Sequence, residues 1–300
     1  MILHEALQRA TLQLNAAPDL RAEATRDAAL LLRHALAITY AQQLAHPARP
    51  LTPVELAAYD ALIARRLTHE PIQYITGEQE FYGLTLHVTP AVLIPRPETE
   101  HLVESVLAEM QQVSANTFRI LDIGTGSGAI AIALAHHLPQ ANITAVDLSP
   151  AALEVAAANA ARHNLSDRIH FVQSDLLASF APNELPFDTP GATASGLGSL
   201  GWDAIVSNPP YVPTTDRATL HPQVREHEPA SALFAGTDGL DIYRRLIPQA
   251  CAALAAGGLL ALEIGQGQRN SIAALLADWT KARFINDLQN IPRVALARKP

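Results

Sequence analysis

Phe118-Arg119-Ile120-Leu121-Asp122-Ile123-Gly124-Thr125-Gly126-Ser127-Gly128 is the stretch whose reading decides the fold. The apolar run Phe118 to Ile123 predicts a buried strand, and the glycines at 124, 126 and 128 predict a tight turn. Alanine-rich sequence from Ser127 to His136 then predicts a helix. Strand, glycine turn and helix in this order form the entrance to a nucleotide or cofactor site in an α/β fold. Without side chains, the glycines let a ligand approach the backbone closely.

The pattern continues downstream. Asn142 to Val146 predicts a second strand ending in Asp147, and Ser149-Pro150 caps and opens a helix over Ala151 to Arg162. Arg168 to Val172 predicts a third strand, followed by Ser174-Asp175-Leu176, and Asp203 to Ser207 a fourth. A helix over Asp241 to Ala253 is expected to close at Gly257-Gly258. Leu259 to Ile264 follows as a fifth strand, then a helix over Ser271 to Trp279. Phe284 to Leu288 and Arg293 to Ala297 complete seven strands around an Asn290-Ile291-Pro292 turn. Regular alternation predicts a mostly parallel sheet covered on both faces, with the last pair as an antiparallel edge. Residues 182–201, rich in Pro, Gly, Ser, Thr and Ala, read as a flexible surface insertion.

Upstream the character changes. Leu3, Leu7, Ala10 and Leu14 recur at helical spacing, a second helix is expected over Ala22 to Leu36, and Pro53 opens a third to Leu67. Residues 1–75 therefore read as an all-helical domain, either a small cap or a module that recognises a macromolecule. Alternation through Thr85, Leu86, His87 and Val88 predicts a β-hairpin linker over 76–95. The catalytic domain is expected over 96–300. Pro97 suits a helical first turn, with Glu98 and Glu100 at its positive end and Leu102, Val103, Val106, Leu107 and Met110 as the apolar face. Arg96 and Glu98 read either as a terminal ion pair or as part of a functional wall.

Composition excludes several classes. The 300 residues carry a formal net charge of -8, against a broad basic surface for nucleic acid. A single cysteine, Cys251, excludes an intrachain disulfide framework, and no Cys–His spacing suggests zinc, so no metal is expected. Neither a signal segment nor an apolar span of membrane length is visible, so the expectation is a cytoplasmic protein without a membrane partner. With no uncovered apolar helix evident, a monomer is expected.

Asn208-Pro209-Pro210-Tyr211 follows the fourth strand. Neither proline can donate to a strand ladder, and Pro209 restricts Asn208 to extended geometry. The bland reading is a strand closed by a Pro-Pro turn. The functional reading is a rigid rim presenting one amide and one phenol. An amide or conjugated amine is a poor nucleophile because its lone pair is delocalised. The Asn208 side-chain carbonyl and the Pro209 backbone carbonyl can accept its two N–H groups, with Tyr211 packed over the plane. Orientation then replaces a strong base. His221 and His227 read as surface or structural residues rather than bases.

Three acidic residues follow predicted strands. Asp147 lies about twenty residues beyond the glycine turn, where a carboxylate holds ribose hydroxyls; its structural alternative is a helix-capping carboxylate. Asp175 can accept from an adenine amino group, with Leu148 and Leu176 lining the ring. Asp122 can face a cationic amino acid moiety. Gly124, Thr125, Gly126 and Gly128 complete the loop. The spacing Gly124-x-Gly126-x-Gly128 differs from G-x-G-x-x-G, and a carboxylate beside the loop suits a cationic tail better than a pyrophosphate. S-adenosyl-L-methionine is therefore favoured over NAD, giving a methyltransferase acting on a planar amide or amino nitrogen.

The chain resembles the HemK/PrmC family, the protein-(glutamine-N5) methyltransferases of peptide chain release factors, over nearly its whole length. The resemblance rests on Pro71 to Gly77, Phe81 to Leu84, Leu93 to Glu100, Asp122 to Gly128, Asn208 to Tyr211, Gly236 to Leu240 and Glu263 to Gln268. Asn208 to Tyr211 alone is shared with adenine N6 and cytosine N4 methyltransferases; Pro95-Arg96-Pro97-Glu98-Thr99-Glu100 is far more specific. The resemblance implies a class I, Rossmann-like methyltransferase domain behind a helical domain and a β-hairpin. It implies S-adenosyl-L-homocysteine as product and, as partner, class 1 release factors, whose Gly-Gly-Gln glutamine is methylated to support translation termination. Asn208 and Pro209 would hold that glutamine, Arg96 and Glu98 would shape the pocket, and the helical domain would grip the factor. A DNA amino-methyltransferase, a glutamine methyltransferase of a ribosomal protein and a non-enzymatic helical interaction protein are the alternatives. Ala235-Gly236, where the family often has two glycines, and a long 182–201 segment are small departures.

Overall fold

The computed structural model describes residues 1–112, 117–180 and 201–300. Its first elements are α1 (Leu3–Asn15), α2 (Ala24–Leu36), α3 (Tyr40–Ala45), α4 (Pro53–Leu67), α5 (Ile72–Thr76), β1 (Glu78–Phe81), β2 (Leu84–His87) and α6 (Glu100–Gln111). Then come β3 (Phe118–Ile123), α7 (Ala129–His137), β4 (Ala141–Asp147), α8 (Pro150–Arg162), β5 (Ile169–Gln173) and β6 (Trp202–Ser207). The chain ends with α9 (Pro222–His227), α10 (Asp241–Ala253), β7 (Leu254–Glu263), α11 (Arg269–Leu275), β8 (Thr280–Asn286) and β9 (Pro292–Arg298). Two compact units result: Met1–Glu78 with Ala218–Glu228, and Gln79–Arg217 with Pro229–Pro300.

The first unit is helical. Leu3, Ala6, Ala10 and Leu14 form the buried stripe of α1, while Leu7 packs partly buried beside it. Helix α4 starts at Pro53 as expected: the Thr52 hydroxyl accepts the Glu55 N–H at 3.2 Å, and the Glu55 carboxylate accepts the Thr52 N–H at 2.9 Å. Helix α2 starts at Ala24 rather than Ala22, because Pro18 opens a 3₁₀ turn that runs to Glu23. The periodicity reading missed α3, α5 and α9, which are too short to show a helical period. Both expected histidines are structural here. His221 Nε2 donates to the Asp19 carbonyl at 3.1 Å, and His227 Nε2 to the Thr68 carbonyl at 2.9 Å.

In the second unit β1 and β2 pair as a hairpin inside the expected linker, 76–95. The main sheet has seven strands in the order β5-β4-β3-β6-β7-β9-β8. β5, β4, β3, β6 and β7 are parallel, and β9 runs antiparallel between β7 and β8. From β3 the chain winds outward through β4 and β5, then returns to place β6 on the other side of β3. That reversal makes the C-terminal ends of β3 and β6 the topological switch point. Helix α7, apolar on every side, is buried from Ala129 to Ala135.

Several boundaries differ: α11 is Arg269–Leu275 rather than Ser271 to Trp279, and β8 begins at Thr280 rather than Phe284. Two others have clear physical reasons. Gly257-Gly258 does not close α10. Leu254 is buried, turns extended directly after the helix and pairs with Trp202, so the glycines fall in an irregularity before Leu259 pairs with Ala204. β8 ends at Asn286, not Leu288, because Asp287 ties the turn. Its carboxylate accepts the Gln289 and Ile291 N–H groups and the Arg293 guanidinium. The expected insertion lies outside the described residues over 182–200. Among the described residues no helix is long and apolar enough to cross a membrane.

Within the helical unit Arg66 Nε donates to Asp27 Oδ2 at 2.7 Å, both side chains being at most 2% exposed. Asp27→Ala strands a buried guanidinium and should lower stability by about 3–5 kcal/mol in chemical denaturation, whereas Asp27→Leu with Arg66→Met should recover most of it.

Candidate active site

The glycine turn is fixed by the neighbouring strand. Gly124 and Thr125 both donate their N–H to the Val146 carbonyl at 2.9 Å. Gly126 donates to Asp147 Oδ2 at 2.9 Å, and Asp147 Oδ1 accepts the Ser149 N–H at 2.9 Å. The cap of α8 is the Ser149 hydroxyl, which accepts the Ala152 N–H at 3.2 Å. Asp147 is thus a brace between two loops, with its carboxylate on the wall of a cavity beyond the strand ends.

That cavity gathers most of the expected residues. Gly124, Thr125, Gly126, Asp147, Leu148, Asp175 and Leu176 line it together with Arg96, Asn208, Pro209 and Pro210. Asp175 shares one carboxylate oxygen with Arg245, at 2.7 Å.

Four expected residues lie outside the lining instead. Gly128 (φ 83) starts α7, and a Cβ there would meet Ile132 at 3.0 Å and Ala156 at 3.2 Å; it serves helix packing. Asp122 is fully buried beneath the turn, its Oδ2 accepting the Thr125 hydroxyl at 2.6 Å, while its Oδ1 has no hydrogen bond of ordinary geometry. Burial pushes its carboxyl from 3.8 up to about 7, against the pull of the Thr125 hydroxyl. Glu98 and Tyr211 also lie outside the lining. Tyr211 does not lie open for stacking on a substrate: its ring packs among the core residues beneath the site, and its hydroxyl donates to Glu263 Oε1 at 3.3 Å.

Glu263 and Thr99 carry no role in the residue-based reading. Thr99 lines the cavity; its hydroxyl donates to Glu263 Oε2 at 2.6 Å and accepts from Asn208 Nδ2 at 3.0 Å. Glu263 is buried, and burial raises its carboxyl from 4.5 to about 7 despite the hydroxyls of Thr99 and Tyr211. The signal available was a lone carboxylate closing the aliphatic run Leu259 to Leu262. Gln268 staples the remaining motif loops: its Nε2 donates to the Tyr211 and Gly239 carbonyls at 3.0 and 3.2 Å, and its Oε1 accepts the Gly265 N–H at 2.9 Å.

Residues 5–77 match the PrmC N-terminal domain family, and residues 120–200 match a methyltransferase domain family. The release factor glutamine methyltransferase of Koribacter versatilis (strain Ellin345) is 43% identical over 304 residues, covering 100% of this chain and 99% of that one. The chain belongs to the release factor glutamine methyltransferase family. Its relative of the same description in Geobacter sulfurreducens is 45% identical over 229 residues, 76% of this chain and 72% of that one. The T. thermophilus 16S rRNA N2 G1207 methyltransferase, solved with AdoMet and guanosine, shares the fold. Its TM-score is 0.53 at 18% identity, covering 74% of this chain and 50% of that one.

The methyl donor of this family member is S-adenosyl-L-methionine, and the donor set of the cavity fits it. Asp147 and Asp175 supply acceptors at successive strand ends, Leu148 and Leu176 supply apolar surface between them, and the glycine turn leaves the backbone open at Gly126. Asp147→Ala removes one such acceptor and the brace on Gly126. It should weaken S-adenosyl-L-methionine binding at least about 10-fold in calorimetry.

Asp122 and Glu263 hold their protons to higher pH in the folded chain than in the unfolded one. Their stabilising contribution is complete at acidic pH and is lost as pH rises towards about 7. The loss is up to about 1.4 kcal/mol per pH unit for each group. Urea titrations across that interval should show the decline, and Asp122→Asn should remove about half of it, leaving the Glu263 share.

Proposed function

We propose that this chain transfers a methyl group to the side-chain nitrogen, N5, of the glutamine in the Gly-Gly-Gln motif of class 1 release factors. The observation that carries the reading is one cavity whose lining includes both the glycine turn and Asp147 and Arg96, Asn208, Pro209 and Pro210. Family membership supplies the substrate class.

S-adenosyl-L-methionine, when bound, supplies an electrophilic methyl group and leaves as S-adenosyl-L-homocysteine. The protein's task is orientation. The Asn208 side-chain carbonyl accepts one N–H of the glutamine amide, and the Pro209 backbone carbonyl accepts the other. Both acceptors favour the positive charge that grows on nitrogen. The rigid Pro209-Pro210 pair holds them without reorganisation, and proton loss follows transfer, so no strong base is needed. Arg96 shapes the glutamine pocket from the cavity wall, and Glu98 supports it from behind. The division of labour is a helical recognition domain over 1–75, a linker over 76–95 and a catalytic domain over 96–300. The protein works in the cytoplasm, where release factors act, as a monomer; light scattering tests that state.

Incubation with labelled S-adenosyl-L-methionine should place one methyl on wild-type release factor, located by mass spectrometry at the Gly-Gly-Gln glutamine. The glutamine-to-alanine factor, a ribosomal protein and duplex DNA should stay unlabelled. Asn208→Ala should lower kcat about 100- to 1000-fold. Label on DNA or on the glutamine-free factor would overturn the assignment.

A further inference from the structure

A chain of hydrogen bonds runs from the sheet into the active site. Thr99 Oγ1 donates to Glu263 Oε2 at 2.6 Å and accepts from Asn208 Nδ2 at 3.0 Å. All three residues come from different places: Thr99 from the turn before α6, Glu263 from the end of β7, and Asn208 from the loop after β6. Thr99 and Glu263 are buried, at 4% and 1% exposure, and Thr99 also borders the cavity.

A threonine hydroxyl has one hydrogen to give. In its ionised form the Glu263 carboxylate can only accept, and at 2.6 Å it takes that hydrogen. Thr99 Oγ1 can then only accept from Asn208, so the Asn208 amide must turn its nitrogen toward Thr99. Its carbonyl oxygen is left as the group available to a substrate N–H. With the opposite flip the amide carbonyl would confront the Thr99 oxygen without a hydrogen between them, and the NH₂ would face a substrate that also brings N–H donors. A proton taken up by Glu263 on Oε1, the oxygen toward the Tyr211 hydroxyl, leaves Oε2 an acceptor and the direction unchanged. The carboxylate is itself held: the Tyr243 hydroxyl donates to the Glu263 backbone carbonyl at 2.7 Å, and Tyr211 to Oε1 at 3.3 Å.

We infer that Thr99 and Glu263 are positioning residues that set which face of the Asn208 amide meets the substrate glutamine. They do not touch the reacting atoms; they remove the alternative amide flip, so that the acceptor is in place before substrate arrives. The inference rests on the glutamine-methylation reading and adds the device that makes Asn208 an acceptor.

The test is a double-mutant cycle on the full chain with wild-type release factor and S-adenosyl-L-methionine. Thr99→Val keeps the shape and removes the hydroxyl; kcat should fall roughly 10- to 100-fold. KM for the factor and the dissociation constant for S-adenosyl-L-methionine should stay within about 3-fold, because neither binding step depends on the flip. Thr99→Ser, which restores the hydroxyl, should return kcat to within about 3-fold of wild type. Glu263→Met should show the same loss confined to kcat. In an Asn208→Ala background Thr99→Val should cost nothing further, since the residue through which it acts is gone. Full activity in Thr99→Val, a loss that Thr99→Ser does not rescue, or losses that multiply in the double variant would overturn the inference while wild-type methylation stands. Wild-type enzyme that leaves the glutamine unmethylated would instead overturn the underlying reading, and this inference with it.

Discussion

Everything at this site depends on the parallel pairing of β3 with β4 on one side and β6 on the other. Parallel neighbours finish at the same edge of the sheet. The glycine turn, Asp147 and Asn208 therefore leave their strands side by side, although eighty residues separate the first from the last. The pairing is held by side chains no ligand touches. Ile120, Leu121, Ala145, Ala204 and Ile205 are fully buried, and burying each large aliphatic side chain contributes about 1.5–3 kcal/mol. Where the ladder stops, backbone groups need new partners, and the loops supply them. The Val146 carbonyl takes two N–H groups from the turn, and the Ser207 hydroxyl donates to the Ile123 carbonyl at 2.7 Å. The site is the place where the sheet's unfinished hydrogen bonding is completed.

The second requirement is polar order below the cavity floor. Glu263, Thr99, Tyr211, Tyr243 and Gln268 interlock around the loops that follow β6 and β7. In a low-dielectric interior each of these groups is costly unless satisfied, so their arrangement has few alternatives. Asn159 does the same on the opposite flank. Its side-chain nitrogen donates to the His87 and Ser127 carbonyls at 2.8 and 2.9 Å, and its oxygen accepts the His87 N–H at 2.7 Å. One buried amide thereby ties the hairpin, the glycine turn and α8 together.

The architecture was legible because its signals are local and strong. The boundaries of β3, α4 and α10 follow directly from an apolar run, an opening proline and a helical period. Short helices were not legible, since α3 and α5 span too few residues to display a period, although Thr39-x-x-Gln42 carried a capping box. Gly257-Gly258 misled because a helix-closing glycine pair and a glycine irregularity inside a strand look alike; the burial of Leu254 against the sheet decides between them. The cavity wall was legible wherever a residue's chemistry announces itself beside a strand end, as with Asp147 and Asn208. Depth was not: Asp122 and Tyr211 belong to the same motifs, yet Asp122 is buried beneath the turn with the Thr125 hydroxyl on it, and Tyr211 is held by Glu263 from another strand. Thr99 lies inside the Pro95 to Glu100 run that carries the resemblance, but nothing local shows that its partner is Glu263, 164 residues later.

The membership of Ala218–Glu228 in the helical unit changes what counts as a module. That unit is not one contiguous stretch of gene; a small piece of it is written inside the sequence that encodes the sheet. Its His221 and His227 satisfy carbonyls of Asp19 and Thr68, groups roughly 160 to 200 positions earlier. Recombination that exchanged only the first 78 residues between relatives would leave those carbonyls facing an unmatched segment. Two segments must be inherited together, and divergence in one constrains divergence in the other.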